Sequence, residues 1–419
     1  MSVSVTTLKN GMRVLTDRMD SVETVSIGVW VDVGTRHEPA PVNGVAHLLE
    51  HMAFKGTERR SALDIAAEIE AVGGHLNAYT SREHTAYYAK VLKENLPLAV
   101  DILADILQHS VFDPKELERE RAVILQEIGQ ANDTPDDIIF DLFQERAFPD
   151  QAMGRPVLGR AEIIRRIDRD TVAGYMRRHY AASGMLLCAA GNVDHRELVR
   201  LAELSFTGVP PARTARSEPA RYVGGELREE RDLEQVHVVL GFPGFPFADP
   251  DYYAASVVSS ALGGGMSSRL FQEIREKRGL VYAIYSFTHA YSDGGLFGVY
   301  AGTGEDEVEE LMPVLCDEIR KLTCGLEPAE LERARAQLKA GLLMSLESTT
   351  ARCEQQAAHM LVFGRPLDMK ELIQHIDEVD QNSVARVARR LFTAAPTVTA
   401  LGPIGRIESY DRLVADLTA

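Results

Sequence analysis

Apolar and polar residues alternate from the start of the chain. Residues 2–8 read SVSVTTL, an Asn10-Gly11 pair follows, and residues 12–17 read MRVLTD, which together predict a β-hairpin with a tight turn. VSIGVWVDVG at 25–34 predicts another strand. Helical periodicity then runs near 45–54, 61–72, 94–109, 114–131 and 136–146, interrupted by the strand-like LNAYT and TAYYAKVL around 76–92. The first half is therefore mixed α and β. Residues 207–225, TGVPPARTARSEPARYVGG, lack periodicity and are rich in Pro, Gly and Ser, the composition of a linker. The pattern predicts domains at 1–206 and 226–419.

The second half repeats the first in outline. AYYAKV matches GVYAGT with Tyr88 against Tyr300, an offset of 300 − 88 = 212 residues. DPKELERERAVILQEI matches EPAELERARAQLKAGL with Pro114 against Pro328, an offset of 328 − 114 = 214. Both of the latter segments begin with an acidic cap, Pro at the first helical position and Glu two residues later: Asp113, Pro114 and Glu116, then Glu327, Pro328 and Glu330. Two offsets in such agreement imply a duplicated α+β domain.

Composition narrows the class. At 419 residues the chain exceeds the roughly 250–300 at which single cores stop growing, so two domains are expected. No apolar run approaches the roughly 18 residues of a membrane helix, and the amino-terminal residues show no basic segment followed by an apolar one. A cytoplasmic protein without a membrane partner is the expectation. Cys188, Cys316, Cys324 and Cys353 lie far apart without C-x-x-C spacing, which argues against a disulfide framework or a thiolate metal site. A net charge of −17 argues against nucleic acid as a partner and would draw in basic ligands.

The chemistry concentrates in NGVAHLLEHMAFKGT, residues 43–57. A helix there puts His47, Glu50 and His51 on one face, while Val45, Leu48, Leu49 and Met52 mark it as buried. Even one buried polar group left uncompensated costs roughly 2–7 kcal/mol. A divalent metal shared by the two imidazoles would compensate, leaving Glu50 as a general base; H-x-x-E-H is the inverted form of the commoner H-E-x-x-H motif. A pair of core histidines hydrogen-bonded to Glu50 is the competing reading. The third ligand decides between them. Glu127, enclosed by Ile124, Leu125 and Ile128, is the candidate carboxylate from a second helix. Glu120, two turns earlier on the same face, is either an outer carboxylate orienting a ligand or a solvated surface charge. GGGMSS at 263–268 lacks the Lys-Ser/Thr ending of a phosphate loop.

HLLEHMAFKGT, LNAYTSREHTAYYAKV, ERAVILQEI and TPDDIIFDLFQERAF, in this order, resemble the pitrilysin superfamily of inverzincin metallopeptidases, most closely its mitochondrial-processing-peptidase β-subunit branch and the bacterial homologues. The resemblance implies two homologous α+β domains, each a mixed, mostly antiparallel sheet flanked by helices, forming a half-shell. It implies one zinc per chain held by His47, His51 and Glu127, with Glu50 as base and Glu120 as an additional active-site glutamate. SSRLFQEIREKRGLVYAIYSF resembles the segment carrying the family's arginine and tyrosine, here Arg278 and Tyr282, which would help polarise the scissile carbonyl. By itself KRGLVY reads as a helix end capped by Gly279 before a strand. Likeness to single-gene bacterial members implies a homodimer, the partner chain supplying that pair. The resemblance also maps Asp137 and Asp141, one helical turn apart, onto carboxylates that receive a substrate arginine. Phe54 would wall the scissile bond, and Asn77 and Ala78 would pair with an extended peptide backbone. The expected activity is endoproteolysis of unstructured, basic peptides; the alternative is a non-catalytic structural subunit of the same fold.

Overall fold

In a computed structural model of the chain, residues 2–212 and 217–418 are described. The opening hairpin forms as its alternation predicts: β1 (Ser2–Thr7) pairs antiparallel with β2 (Arg13–Arg18), and Gly11 supplies the left-handed turn residue at φ 95°. β3 (Thr24–Val31), β4 (His75–Thr80), β5 (Thr85–Leu92) and β6 (Met185–Gly191) complete a six-stranded sheet in the order β1-β2-β6-β3-β5-β4. The second sheet contains β7 (Gly225–Glu230), β8 (Val236–Pro243), β9 (Val281–Ala290), β10 (Gly295–Thr303) and β11 (Thr397–Gly402), in the order β7-β11-β8-β10-β9.

Without β1 the two sheets share one topology. Each runs first, last, second, fourth, third in chain order, and in each the first and last strands are the parallel pair, β2 with β6 and β7 with β11. Tyr88 lies in β5 and Tyr300 in β10, equivalent strands, so the offset of 212 residues marks a true structural repeat. The mixed, helix-flanked sheets and the duplication are as expected from the sequence.

Both faces of each sheet are covered. In the first sheet MLLCAAG of β6 is buried at every position, the apolar run required of a strand packed on both sides. One face packs against helices Val45–Ala53, Leu96–Gln108 and His195–Ser205. On the other face Leu15, Trp30, Leu186 and Cys188 meet Cys353, Ala357 and Met360 of helix Thr349–Phe363. In the second sheet one face packs against helices Tyr252–Gly263, Val308–Leu322 and Gln381–Phe392. Its other face buries Val239, Tyr300 and Leu401 against Ile139 and Phe143 of helix Pro135–Ala147.

Each sheet is thus capped by a helix from the opposite half of the sequence. One compact unit comprises Met1–Gln130, Arg155–Glu218 and Met344–Leu367; the other comprises Ala131–Gly154, Pro219–Leu343 and Asp368–Ala419. This refines the expected blocks 1–206 and 226–419. The chain passes between units at Glu218/Pro219, inside the expected 207–225 linker, of which residues 213–216 lie outside the described residues. Residues 131–154 and 344–367 change sides because each carries an apolar face that its partner sheet buries, about 1.5–3 kcal/mol for each large side chain.

Candidate metal centre

Helix Val45–Ala53 buries Val45, Leu48, Leu49 and Met52 in the core of the first unit and turns His47, Glu50 and His51 to the other side. Its N-cap is Gly44 at φ 95°, where a Cβ would lie 2.5 Å from Ile164 Cδ1 and 2.9 Å from the Gly159 Cα. The chain can enter the helix only without a side chain here. Helix Pro114–Asn132 supplies the carboxylates, its Leu117 and Ile124 anchored in the same core.

The imidazoles and Glu127 converge. Glu127 Oε2 lies 3.8 Å from His47 Nε2 and 3.7 Å from His51 Nε2, and one ligand atom from each residue falls within 4.8 Å of the other two. Burial, and then the neighbouring His51, push the His47 pKa down to about 4, so at neutral pH it is an uncharged imidazole and its approach to Glu127 is not an ion pair. Glu127 Oε2 and His47 Nδ1 are buried with no hydrogen-bond partner. An orphaned carboxylate oxygen facing two imidazole nitrogens is costly as it stands. The donor set fits zinc: ligands at about 2.0–2.1 Å in a tetrahedron stand roughly 3.3–3.5 Å apart, slightly closer than these atoms.

Glu120 is buried, not solvated: 7% exposed, it binds His51 Nδ1 at 3.0 Å through Oε2 and Lys55 Nζ at 2.7 Å through Oε1. A proton on His51 Nδ1 donated to Glu120 leaves Nε2, the nitrogen facing Glu127, as the ligand atom. Glu50 accepts a hydrogen bond from Thr80 Oγ1 at 2.6 Å, and burial raises its pKa against the opposing pull of that bond.

Thr80 and Lys55 escaped the sequence reading. Strand alternation could have found Thr80, since Leu76, Ala78 and Thr80 share the core face of β4 and Asn77 takes the other. Asn77 and Ala78, paired in the reading, therefore point to opposite faces: Ala78 is 8% exposed and packed in the core, whereas Asn77 is exposed and accepts from the Ala78 N–H at 2.9 Å. β4 is an edge strand with one unpaired side. Phe54 caps the histidine helix at its carboxyl end, partly buried, its ring 6.2 Å from that of Tyr87.

Comparison with known proteins decides the family. Residues 13–161 match the family described as Insulinase (Peptidase family M16), and residues 166–338 match the Peptidase M16 inactive domain. The chain belongs to peptidase family M16. An "Uncharacterized zinc protease" of Rickettsia bellii is 40% identical over 401 residues, 96% of this chain and 97% of that protein. The "Probable mitochondrial-processing peptidase subunit beta, mitochondrial" of Arabidopsis thaliana is 39% identical over 424 residues, 97% of this chain and 80% of that protein. Among solved structures, a protease from Helicobacter pylori superposes with a TM-score of 0.89 at 22% identity, covering 96% of this chain and 99% of that one. A chain of Complex III2 from Candida albicans reaches the same TM-score at 21% identity, covering 99% of this chain and 100% of that one. Membership in M16, the zinc-protease relatives and the His-His-Glu cluster identify a zinc metallopeptidase. Among the described residues no helix is long and apolar enough to cross a membrane.

The remaining M16 candidates lie in the second compact unit. Arg278 and Tyr282 follow a π-helical turn, Phe271–Glu276, and Gly279 at φ 68° then leads the chain towards β9. Arg278 Nη1 donates to the Glu273 carbonyl at 2.6 Å and to its carboxylate at 3.1 Å, while Tyr282 is 77% exposed with the Arg275 guanidinium 5.6 Å from its ring. Asp137 and Asp141 occupy helix Pro135–Ala147, Asp137 exposed in its first turn and Asp141 one turn on.

Proposed function

We propose that the chain is a zinc-dependent endopeptidase acting on unstructured peptides, with one zinc per chain held by His47, His51 and Glu127. The observation that carries this reading is the orphaned Glu127 Oε2 directed at two imidazole nitrogens next to a half-buried Glu50. Zinc bound there would supply Lewis acidity to the carbonyl under attack and to the attacking water. Glu50 accepts the proton of that water as its oxygen bonds to the carbonyl carbon, then delivers it to the leaving nitrogen as the C–N bond breaks. Burial favours this role by raising the affinity of Glu50 for a proton, and Thr80 fixes its rotamer. Glu120, locked by Lys55, orients His51.

In this reading Arg278 and Tyr282 donate to the developing oxyanion from a second copy in a homodimer, Asp137 and Asp141 receive a substrate arginine, and the peptide lies along the free edge of β4 beside Asn77, Ala78 and Phe54. The setting is cytoplasmic. A scaffold of the same fold would have no use for His47, Glu50, His51 and Glu127 together. Incubation with a quenched fluorescent peptide carrying internal arginines is expected to give cleavage between interior residues, abolished by a chelator and restored by zinc. Absence of chelator-sensitive cleavage of any such peptide would favour the scaffold.

A further inference from the structure

The histidine helix begins without a cap of its own. Ser, Thr, Asp or Asn normally occupies the N-cap and accepts from the first free backbone N–H groups. Steric confinement demands Gly44 instead, because the Asn43–Gly44 corner is pressed against Gly159, whose own Cβ would lie 2.7 Å from the Asn43 carbonyl oxygen. The capping oxygens come from six residues upstream. Glu38 Oε2 accepts from the Gly44 N–H at 2.8 Å and from Asn43 Nδ2 at 2.9 Å, and Oε1 accepts from the Ala46 N–H at 2.7 Å. Ala46 immediately precedes His47, and His51 follows one turn later.

The clamp is itself held. Asn43 Nδ2 also donates to the Pro156 carbonyl at 3.1 Å, and Arg155 donates to the Glu38 carbonyl. Glu38 is 2% exposed. A wholly buried carboxylate whose two oxygens both accept from one helix entrance is an expensive way to cap nine residues, and burial accordingly pushes its pKa up to about 7 against the opposing pull of Ala46, Gly44, Asn43 and Arg155.

We infer that Glu38 is a positioning residue for the metal site: it fixes the amino end of the histidine helix so that both imidazoles point at Glu127. This rests on the reading of His47, His51 and Glu127 as zinc ligands. Both oxygens are needed as acceptors, so Gln cannot replace Glu; its amide NH2 would face one of the N–H donors.

The test is zinc affinity of the full-length chain, stripped of metal and titrated with zinc against a chromophoric chelator, beside the thermal midpoint of the metal-free protein. His47→Ala establishes the site. If that variant binds zinc as the wild type does, the ligand assignment fails, and the inference falls with it for that reason and not through Glu38. With the site established, Glu38→Gln is expected to weaken zinc roughly 10- to 100-fold, the range for residues that orient ligands, and by more than its own fall in metal-free midpoint explains. Glu38→Asp, which keeps the charge but shortens the reach, should fall between the two and serves where Gln prevents folding. Leu198→Ala, in the core of the same unit, is the control for general loosening. Unchanged affinity in both Glu38 variants would overturn the inference. So would an equal loss in Leu198→Ala at a matched fall in midpoint.

Discussion

The two compact units share a sheet topology and differ in what their equivalent helices carry. In the first, helix Pro114–Asn132 presents Glu120 and Glu127; at the matched positions of helix Pro328–Ser345 the second has Ala334, 1% exposed, and Gly341. Helix Val45–Ala53 bears two histidines and a glutamate, whereas helix Tyr252–Gly263 has neither residue type. Where Glu120 binds His51 in the first unit, the matched Ala334 of the second offers no side-chain acceptor. The helix entrances differ in the same sense. Asp251 at the second entrance has its pKa pulled down, because Arg386 and Arg390 outweigh its burial, while Glu38 at the first is pushed up. One fold has been satisfied for stability in one copy and left electrostatically costly in the other, which is how a site prepared for a cation differs from a scaffold.

Removing the first unit's charges should erase that difference. Glu127→Ala is expected to lose zinc, read by metal analysis, and with it all hydrolysis. Glu50→Gln should keep its zinc and lower kcat/KM by about 10²–10⁴-fold. Full zinc content in Glu127→Ala, or wild-type turnover in Glu50→Gln, would remove the residue concerned from its role.

The exchanged helices offer the next comparison. Phe143 and Met360 each sit on a helix from the far half of the chain, each at most 2% exposed. Phe143→Ala should cost ~3–5 kcal/mol and Met360→Ala ~2–5 kcal/mol. Urea unfolding followed by circular dichroism measures the first. Fluorescence of Trp30, the only tryptophan and a neighbour of Met360 in its cluster, measures the second. If either truncation left the midpoint unmoved, the capping role of that helix would be lost.

A pH-dependent effect concerns the two helix entrances. Burial raises the pKa of Glu38 from its ordinary 4.5 to about 7 in the folded chain, so the folded state retains a proton that the unfolded state has released. Its contribution to stability is present below about pH 4.5 and is lost as pH rises to 7. Metal-free wild type should therefore lose about 3 kcal/mol relative to Glu38→Gln between those limits, measured by urea unfolding at several pH values. Asp251, with its pKa depressed, should behave oppositely, losing its contribution as pH falls. A pH-independent difference between wild type and Glu38→Gln would remove the charge from the account.

Much of this was legible in residue order. The hairpin, the helices bearing His47 and Glu127, and the repeat declared by Tyr88/Tyr300 and Pro114/Pro328 follow from short-range periodicity, because side-chain direction within one element depends only on spacing. His47, His51 and Glu127 were legible for the same reason, as polar side chains on otherwise apolar helix faces. What lay beyond reach was long-range. Lys55 on Glu120, Thr80 on Glu50 and Glu38 on Gly44 and Ala46 are contacts that appear only once strand register and loop path are fixed. The exchange of residues 131–154 and 344–367 was equally hidden, since an amphipathic helix records that it must be covered but not which sheet covers it. The sequence alone determined which residues can hold a metal; tertiary structure decided which burial, cap and hydrogen bond hold them in place, because those energies arise between segments that the chain order keeps apart.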